Sequence, residues 1–142
     1  MIKEENQTEI LNRMKKEIIY TKDAPEPIGP YNQGVKIGRT LYVSGQIPLI
    51  PGKMELVNND LEKETTQVMK NIEAILLKAN MTFGNVVKTT IFLSDMRNFE
   101  IVNKIYVRYF NPENAPARET VEVSNLPKYV RLEISVIESE ID

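Results

Sequence analysis

In the middle of the chain, apolar residues recur at intervals of three and four, which is the spacing of an amphipathic helix. Asn59 or Asp60 can cap its start, and Asn80 is expected to end it. Glu62 and Glu64 suit the first turn, where the helix dipole favours negative charge. The apolar positions are Leu61, Val68, Met69, Ile72, Ile75, Leu76 and Ala79. The pattern therefore predicts one buried helical face.

A second helical pattern runs from about Arg97 to Phe110, and Asn111 with Pro112 stops it. Its apolar stripe consists of Phe99, Val102, Ile105, Tyr106 and Tyr109. The stretch between the two helices, residues 85–95, is β-branched and alternates poorly between apolar and polar side chains. This is typical of a central strand that is covered on both faces.

Shorter strand patterns lie towards both ends of the chain. One follows Met14 in "KKEIIYT", two surround the Gly38-Arg39 turn, and two more fill residues 116–135. The order is strands, helix, strand, helix, strands. It predicts an α+β fold in which a sheet of about six strands carries two helices on one face.

The last two strands, in "PARETVEVSNLPKYVRLEIS", are predicted to pair as an antiparallel hairpin. Alternation places Leu132 and Glu133 on opposite faces, and likewise Val121 and Arg118. If both apolar faces point to the core, Glu133 lies across from Arg118 or from Thr120. In either register we expect Arg118 and Glu133 to be neighbours on the polar face, at most roughly 7–8 Å apart between Cα atoms.

A fixed cation beside a fixed carboxylate can seat a small carboxylic acid or zwitterion. The Arg118 guanidinium would hold the ligand carboxylate in a bidentate fork, and Glu133 could act as a general base on water. The alternative is a solvated salt bridge across two strands, which contributes little stability. The strand pattern by itself favours this second interpretation.

Composition further limits the kinds of catalysis that the chain can perform. The chain has 142 residues, which suits one domain, with a net charge of −2. It contains no Cys and no His, which excludes thiolate nucleophiles, Ser-His-Asp triads and imidazole metal sites. Catalysis would have to use carboxylates, Arg, Lys, hydroxyls, backbone groups and water. The acidic balance gives no electrostatic indication of nucleic-acid binding.

The N-terminal residues 1–13 are polar, and we expect them to form a flexible extension before a single domain at residues 14–142. The sequence "MIKEENQTEILNRMKKEIIY" has no apolar run long enough for a signal peptide or a membrane span. We therefore expect a cytoplasmic protein with no membrane partner.

Apolar residues are expected on more than one side of the sheet. Leu41, Val43 and Ile47 lie in one strand region, and Ile137 ends the last strand. A chain of this size has no further element to cover a second apolar face. The pattern predicts self-association through that face.

Five segments together resemble the RidA family, also called the YjgF family, of reactive intermediate deaminases. They are "IGPYNQGV" from Ile28, "YVSGQIPL" from Tyr42, "NVVKTTIFLSDM" from Asn85, "FEIVNKIYVRYF" from Phe99 and the closing "PARETVEVSNLPKYVRLEIS". The resemblance extends from Lys15 to about Ser139.

The resemblance implies a chorismate-mutase-like subunit in a homotrimer with a central barrel and clefts between subunits. It also implies hydrolysis of enamines and imines such as 2-aminoacrylate to 2-keto acids and ammonia, without a metal or cofactor. Arg118 and Glu133 match the family's catalytic arginine and glutamate. The residues that match its substrate-binding positions are Tyr31, Ser44, Gly45, Asn103 and Thr120.

Each matched residue also has a purely structural interpretation. Tyr31 could pack as a loop aromatic, Ser44 could belong to a turn, and Asn103 could be solvated. The sequence departs from the family at Glu119, where a small residue usually follows the arginine. Alternation turns Glu119 away from Arg118, but an irregular strand would allow the two to pair.

Three functions remain open on the sequence. The first is an imine deaminase acting on a small imino acid. The second is a binding or regulatory trimer that senses 2-keto acids or amino acids without turnover. The third is an RNA endonuclease or translation inhibitor, which the acidic balance and the absence of His make the weakest of the three.

Overall fold

A computed structural model describes residues 4–141, apart from the side chains of residues 12–14. Six strands form one sheet in the order β1-β2-β3-β6-β4-β5. Neighbouring strands are antiparallel except β4 and β5, which are parallel. The strands are β1 (Lys16–Ile19), β2 (Gly34–Ile37), β3 (Thr40–Gln46), β4 (Val86–Leu93), β5 (Ala117–Glu122) and β6 (Leu132–Ser139).

The helices are α1 (Gln7–Met14), α2 (Leu61–Lys78) and α3 (Phe99–Tyr106). Short 3₁₀ turns occupy Phe83–Asn85, Met96–Asn98, Val107–Tyr109, Pro112–Asn114 and Pro127–Tyr129. Helices α2 and α3 pack on one face of the sheet and bury a shared core with it. The predicted α+β fold, with about six strands and two helices on one face, is confirmed.

Helix α2 begins and ends close to where its sequence pattern predicts. The Asp60 side chain caps it by accepting a hydrogen bond from the Lys63 amide at 3.1 Å, a contact that typically contributes about 1 kcal/mol. Ala79 ends it, and Asn80 follows in the left-handed region at φ 58°. The predicted apolar positions are buried and form the part of the main core that α2 contributes.

Strand β4 is central, as its poor alternation predicts. It lies between β6 and β5, and Thr89, Ile91 and Leu93 face the helices. The opposite side of β4 faces a smaller apolar cluster, in which Phe92 packs with residues that include Leu49 and Val130. Both faces of β4 are therefore partly covered.

The predicted hairpin of β5 and β6 is wrong. Strand β4 lies between them, so β5 pairs in parallel with β4, and β6 pairs with β4 and β3. A hairpin would leave one edge of β4 without a partner, whereas insertion satisfies the backbone groups on both edges. The segment between Glu122 and Leu132 is long enough to cross the end of β4.

This topology also corrects the expected contact between Arg118 and Glu133. Arg118 is in register with Thr89, so it shares the face that the helices cover. Glu133 is in register with Phe92 and lies on the other face. The two side chains therefore point to opposite sides of the sheet. The prediction failed because β5 turns Val121, and not Arg118, to the helix-free face.

The face of the sheet without helices carries exposed apolar side chains. Ile18, Ile37, Tyr42 and Val121 are each more than a third exposed. Leu41 and Val43 are buried beneath the helices, whereas Ile137 lies on the helix-free face in register with Tyr42. Apolar residues therefore lie on both sides of the sheet, as the sequence predicts.

The division into an extension and a domain stays a prediction. Part of the proposed extension forms α1, and residues 7–11 are exposed. Residues 1–3 and residue 142 lie outside the described part of the chain. Between residues 4 and 141, the helices lack the length and apolar character required to cross a bilayer.

Candidate active site

The Glu133 side chain lines a pocket of about 400 Å³ on the helix-free face of the sheet. The carboxylate comes from β6, the backbone of Gly45 from β3, and the Tyr31 ring from the loop before β2. The remaining walls are largely apolar and include Pro25, Ile28, Ile47, Leu49 and Pro127. The charged residues Glu26 and Lys128 also border it. The pocket therefore combines a few charged groups with a mainly apolar lining, as small-ligand sites commonly do.

Gly45 allows the close approach of Glu133. The register between β3 and β6 shifts between Val43 and Gln46, which marks a β-bulge. A Cβ atom on Gly45 would lie 2.7 Å from Cδ and 2.9 Å from Cγ of Glu133. Any side chain at this position would displace the carboxylate.

Burial raises the pKa of the Glu133 carboxyl above the usual range for a glutamate. Within residues 4–141, no hydrogen-bond donor is found on this carboxylate. A desolvated carboxylate without a donor is a stronger base than an exposed one. It is therefore better suited than an exposed glutamate to accept a proton from a water molecule.

Ser44 on β3 and Tyr31 on the preceding loop both form hydrogen bonds that hold the loop bordering the pocket. The Ser44 hydroxyl donates to the Asn32 carbonyl at 2.6 Å, and the Tyr31 hydroxyl accepts from the Ile28 amide at 3.1 Å. Ser44 thus joins β3 to the loop. The Tyr31 ring is half exposed, and its hydroxyl proton is not used in the contact with Ile28.

Gln33 fixes the outer wall of the pocket, a role that its sequence pattern did not predict. Its side chain is 2% exposed. Oε1 accepts from the Thr21 amide at 2.8 Å, and Nε2 donates to the carbonyls of Thr21, Ala24 and Pro25 at 2.9, 3.3 and 2.9 Å. The available sequence signal is an amide side chain immediately before Gly34, after a Pro-rich loop.

Arg118 lies in a separate group of residues at the edge strand β5. Its Nη1 donates to Oδ1 of Asn103 on α3 at 2.6 Å. The guanidinium carbon is 4.9 Å from the centroid of the Tyr106 ring and 5.6 Å from that of Phe99. Asn103 therefore contacts Arg118 and is not simply a solvated helix residue.

Thr120 lies two residues beyond Arg118 on β5, which is an edge strand. Because the Val123 amide donates to the Leu93 carbonyl at 2.8 Å, alternation directs the Thr120 amide away from β4 to the open edge. The described residues supply no partner for that donor. The Thr120 hydroxyl is buried and has no partner within residues 4–141.

Glu119 does not compete for Arg118. It lies on the other face and forms an ion pair with Lys88, with 2.5 Å between Nζ and Oε2. The hydrogen bond from Lys88 lowers the pKa of Glu119. The departure from the family pattern at this position leaves the guanidinium free to meet a ligand.

The matched residues thus form two groups. Tyr31, Gly45 and Glu133 line the pocket, and Ser44 supports its loop. Asn103 contacts Arg118 on the opposite side of the sheet, and Thr120 lies two residues further along β5. One chain does not bring the two groups together. No cluster of three acidic side chains suited to a metal ion occurs among the described residues.

Comparison with known proteins shows the family. Residues 21–139 match the family described as endoribonuclease L-PSP. A RutC family protein of Pyrococcus horikoshii is 48% identical over 122 residues, which are 86% of this chain and 96% of that protein. The chain belongs to this family, which is the RidA/YjgF family that its motifs indicated.

Solved structures agree with this assignment. The Rid family protein YyfA from Yersinia pestis is 51% identical with a TM-score of 0.86, and the match covers 89% of this chain and all of that one (100%). TdcF from E. coli, solved with bound serine, is 37% identical with a TM-score of 0.82 and coverage of 88% and 99%.

Proposed function

We propose that this protein hydrolyses enamines and imines of 2-amino acids, such as 2-aminoacrylate, to 2-keto acids and ammonia. The observation that carries the proposal is the Glu133 carboxylate. It is half-buried, faces a ligand-sized pocket beside Gly45, and has a raised pKa and no donor among residues 4–141. Such a group is suited to activate water.

A complete site requires a second copy of the chain. Arg118 and Glu133 lie on opposite faces of one sheet, so the pocket of one subunit would receive the β5 edge of its neighbour. The exposed apolar residues Ile18, Ile37 and Tyr42 on the helix-free face support such packing, because burying them would stabilise the contact. In line with the family resemblance, we propose a homotrimer with its clefts between subunits.

Arg118 would hold the substrate carboxylate. A guanidinium offers two parallel N–H groups to a carboxylate, and only Nη1 is directed to Asn103. The Thr120 amide at the open edge would add a third donor. Tyr31, whose hydroxyl proton is available, would contact the substrate from the Glu133 side.

The reaction then needs little beyond positioning. An enamine first becomes an imine when a proton moves to its terminal carbon. Glu133 takes one proton from water as the water oxygen bonds to C2 of the protonated imine, giving a carbinolamine. The amino nitrogen gains that proton, the C–N bond breaks, and loss of the hydroxyl proton leaves a 2-keto acid and ammonia. Orientation of water and substrate provides most of the acceleration.

A coupled assay tests the proposal. Threonine dehydratase generates the imino acid, and release of the 2-keto acid is followed with and without this protein. We expect faster release with wild type and none above background with Arg118→Ala or Glu133→Gln. Arg108→Ala is the matched control, because Arg108 is an exposed arginine just after α3. Acceleration that survives in Arg118→Ala would refute the assignment.

A binding or regulatory role is the second candidate, favoured by the serine bound in the TdcF structure. The same pocket would then hold an amino acid or keto acid without turnover. Calorimetric titration with serine and 2-ketobutyrate separates the two functions. Binding that depends on Arg118, without accelerated hydrolysis for any dehydratase substrate, would support this second role.

A further inference from the structure

The Arg118 guanidinium is held by a single face of α3. Phe99, Asn103 and Tyr106 are spaced so that they lie on one side of the helix. The Tyr106 and Phe99 ring centroids are 4.9 and 5.6 Å from the guanidinium carbon, both within cation–π range. Asn103 accepts one of the guanidinium hydrogens at 2.6 Å.

The Tyr106 ring is itself fixed. Its side chain is 5% exposed, and its hydroxyl donates to Oγ1 of Thr89 at 3.1 Å. Thr89 is the residue of β4 in register with Arg118. The ring is therefore anchored to the strand beside the arginine that it supports, so the two cannot easily move apart.

This support matters because Arg118 is exposed on an edge strand. A free arginine side chain samples many rotamers, and binding a carboxylate would have to restrict them. Two rings and one amide contact the guanidinium, and its remaining N–H groups have no hydrogen-bond partner within residues 4–141. The guanidinium is thus oriented before a ligand arrives.

We propose that Tyr106 and Phe99 form an aromatic platform that positions Arg118 for the substrate carboxylate. The inference rests on the proposed function and deepens it, since both residues act through Arg118. Loss of either ring would weaken binding and leave the water-activating group at Glu133 untouched. The effect would fall on KM, with little change in kcat.

The test compares Tyr106→Leu, Phe99→Leu and Tyr106→Phe in the full chain. Two readouts are used: KM and kcat in the dehydratase-coupled assay, and the Kd for 2-ketobutyrate by calorimetry. Tyr109→Leu is the control, because this substitution removes an aromatic ring from the same region. Tyr109 packs on Phe83, with 5.1 Å between the ring centroids.

We expect the two leucine variants to raise KM and Kd by about tenfold, with kcat within about twofold of wild type. Tyr106→Phe keeps the buried ring and loses only its hydrogen bond to Thr89, so its binding should lie much closer to wild type than that of Tyr106→Leu. Tyr109→Leu should not weaken binding. If Tyr106→Leu fails to fold, the Kd of Phe99→Leu alone tests the proposal. Unchanged Kd in folded leucine variants would overturn the platform.

The calorimetric arm separates this inference from the proposed function. Wild-type binding without turnover would refute the deaminase, and weaker binding by Phe99→Leu would still support the platform. Normal turnover in all variants would leave the deaminase standing and overturn the platform. Absence of 2-ketobutyrate binding by wild type would overturn the platform's role in holding a carboxylate.

Discussion

Glu138 provides the sharpest test of the energetics of this fold. It lies on β6 on the helix-covered face, in register with Leu41 on β3 and Val86 on β4. Its exposure is 0%, and neither carboxyl oxygen has a partner within residues 4–141. Burial raises the pKa of Glu138 from 4.5 to about 8, because the core disfavours the charged form.

The sign of the pH dependence follows from proton binding. The folded state holds this proton more tightly than the unfolded chain, so the stabilisation is complete below the unfolded pKa near 4.5. It is lost as the pH rises, and the loss levels off above the folded pKa of about 8. The folded and unfolded pKa values of Glu138 differ by between three and four, and each pKa unit is worth about 1.36 kcal/mol. The full loss of folding free energy is therefore about 5 kcal/mol.

Glu138→Gln keeps the shape of the side chain and removes the titration. Urea unfolding of both proteins at pH 5, 7 and 9 gives the free energy of unfolding at each pH. We expect the advantage of Glu138→Gln over wild type to grow by a few kcal/mol between pH 5 and pH 9. Taking the difference between the proteins cancels the other titrating groups. The exposed residue Glu113 supplies the control Glu113→Gln, and a constant difference for Glu138→Gln would refute the reasoning.

Three further predictions concern the pocket. Gly45→Ala should displace the Glu133 carboxylate and lower kcat by about tenfold or more in a protein with unchanged circular dichroism; wild-type kcat would contradict the close approach. In wild type, kcat should fall as the pH drops through the raised pKa of Glu133, with a midpoint above the usual glutamate range in a pH–rate profile; a midpoint within that range would contradict the role of burial. Gln33→Leu breaks four hydrogen bonds, so thermal unfolding should show that the free energy of unfolding falls by about 3 kcal/mol. KM should also rise, because the pocket wall at residues 21–25 loosens. Unchanged stability would show that this wall does not depend on Gln33.

Local pattern was enough to predict the elements whose stability is local. The spacing of apolar residues and the Asp60 cap determine α2, and the turn at Gly38 and Arg39 determines the β2–β3 hairpin. The poor alternation of β4 correctly indicated a central strand. These features could be predicted because they depend on contacts between residues close in sequence, or on the spacing of apolar residues along one element.

Tertiary structure decided how the last strands pair and where the candidate site residues lie. Strand β5 could satisfy its backbone equally well beside β6 or β4, and only the need of β4 for two partners selects the parallel arrangement. That choice placed Arg118 under α3 and Glu133 on the opposite face. The aromatic contacts of Arg118 and the loop bonds of Gln33 depend on the same long-range packing. Sequence thus determined which groups are present, and the sheet order determined which of them meet, because strand pairing is set by non-local backbone satisfaction.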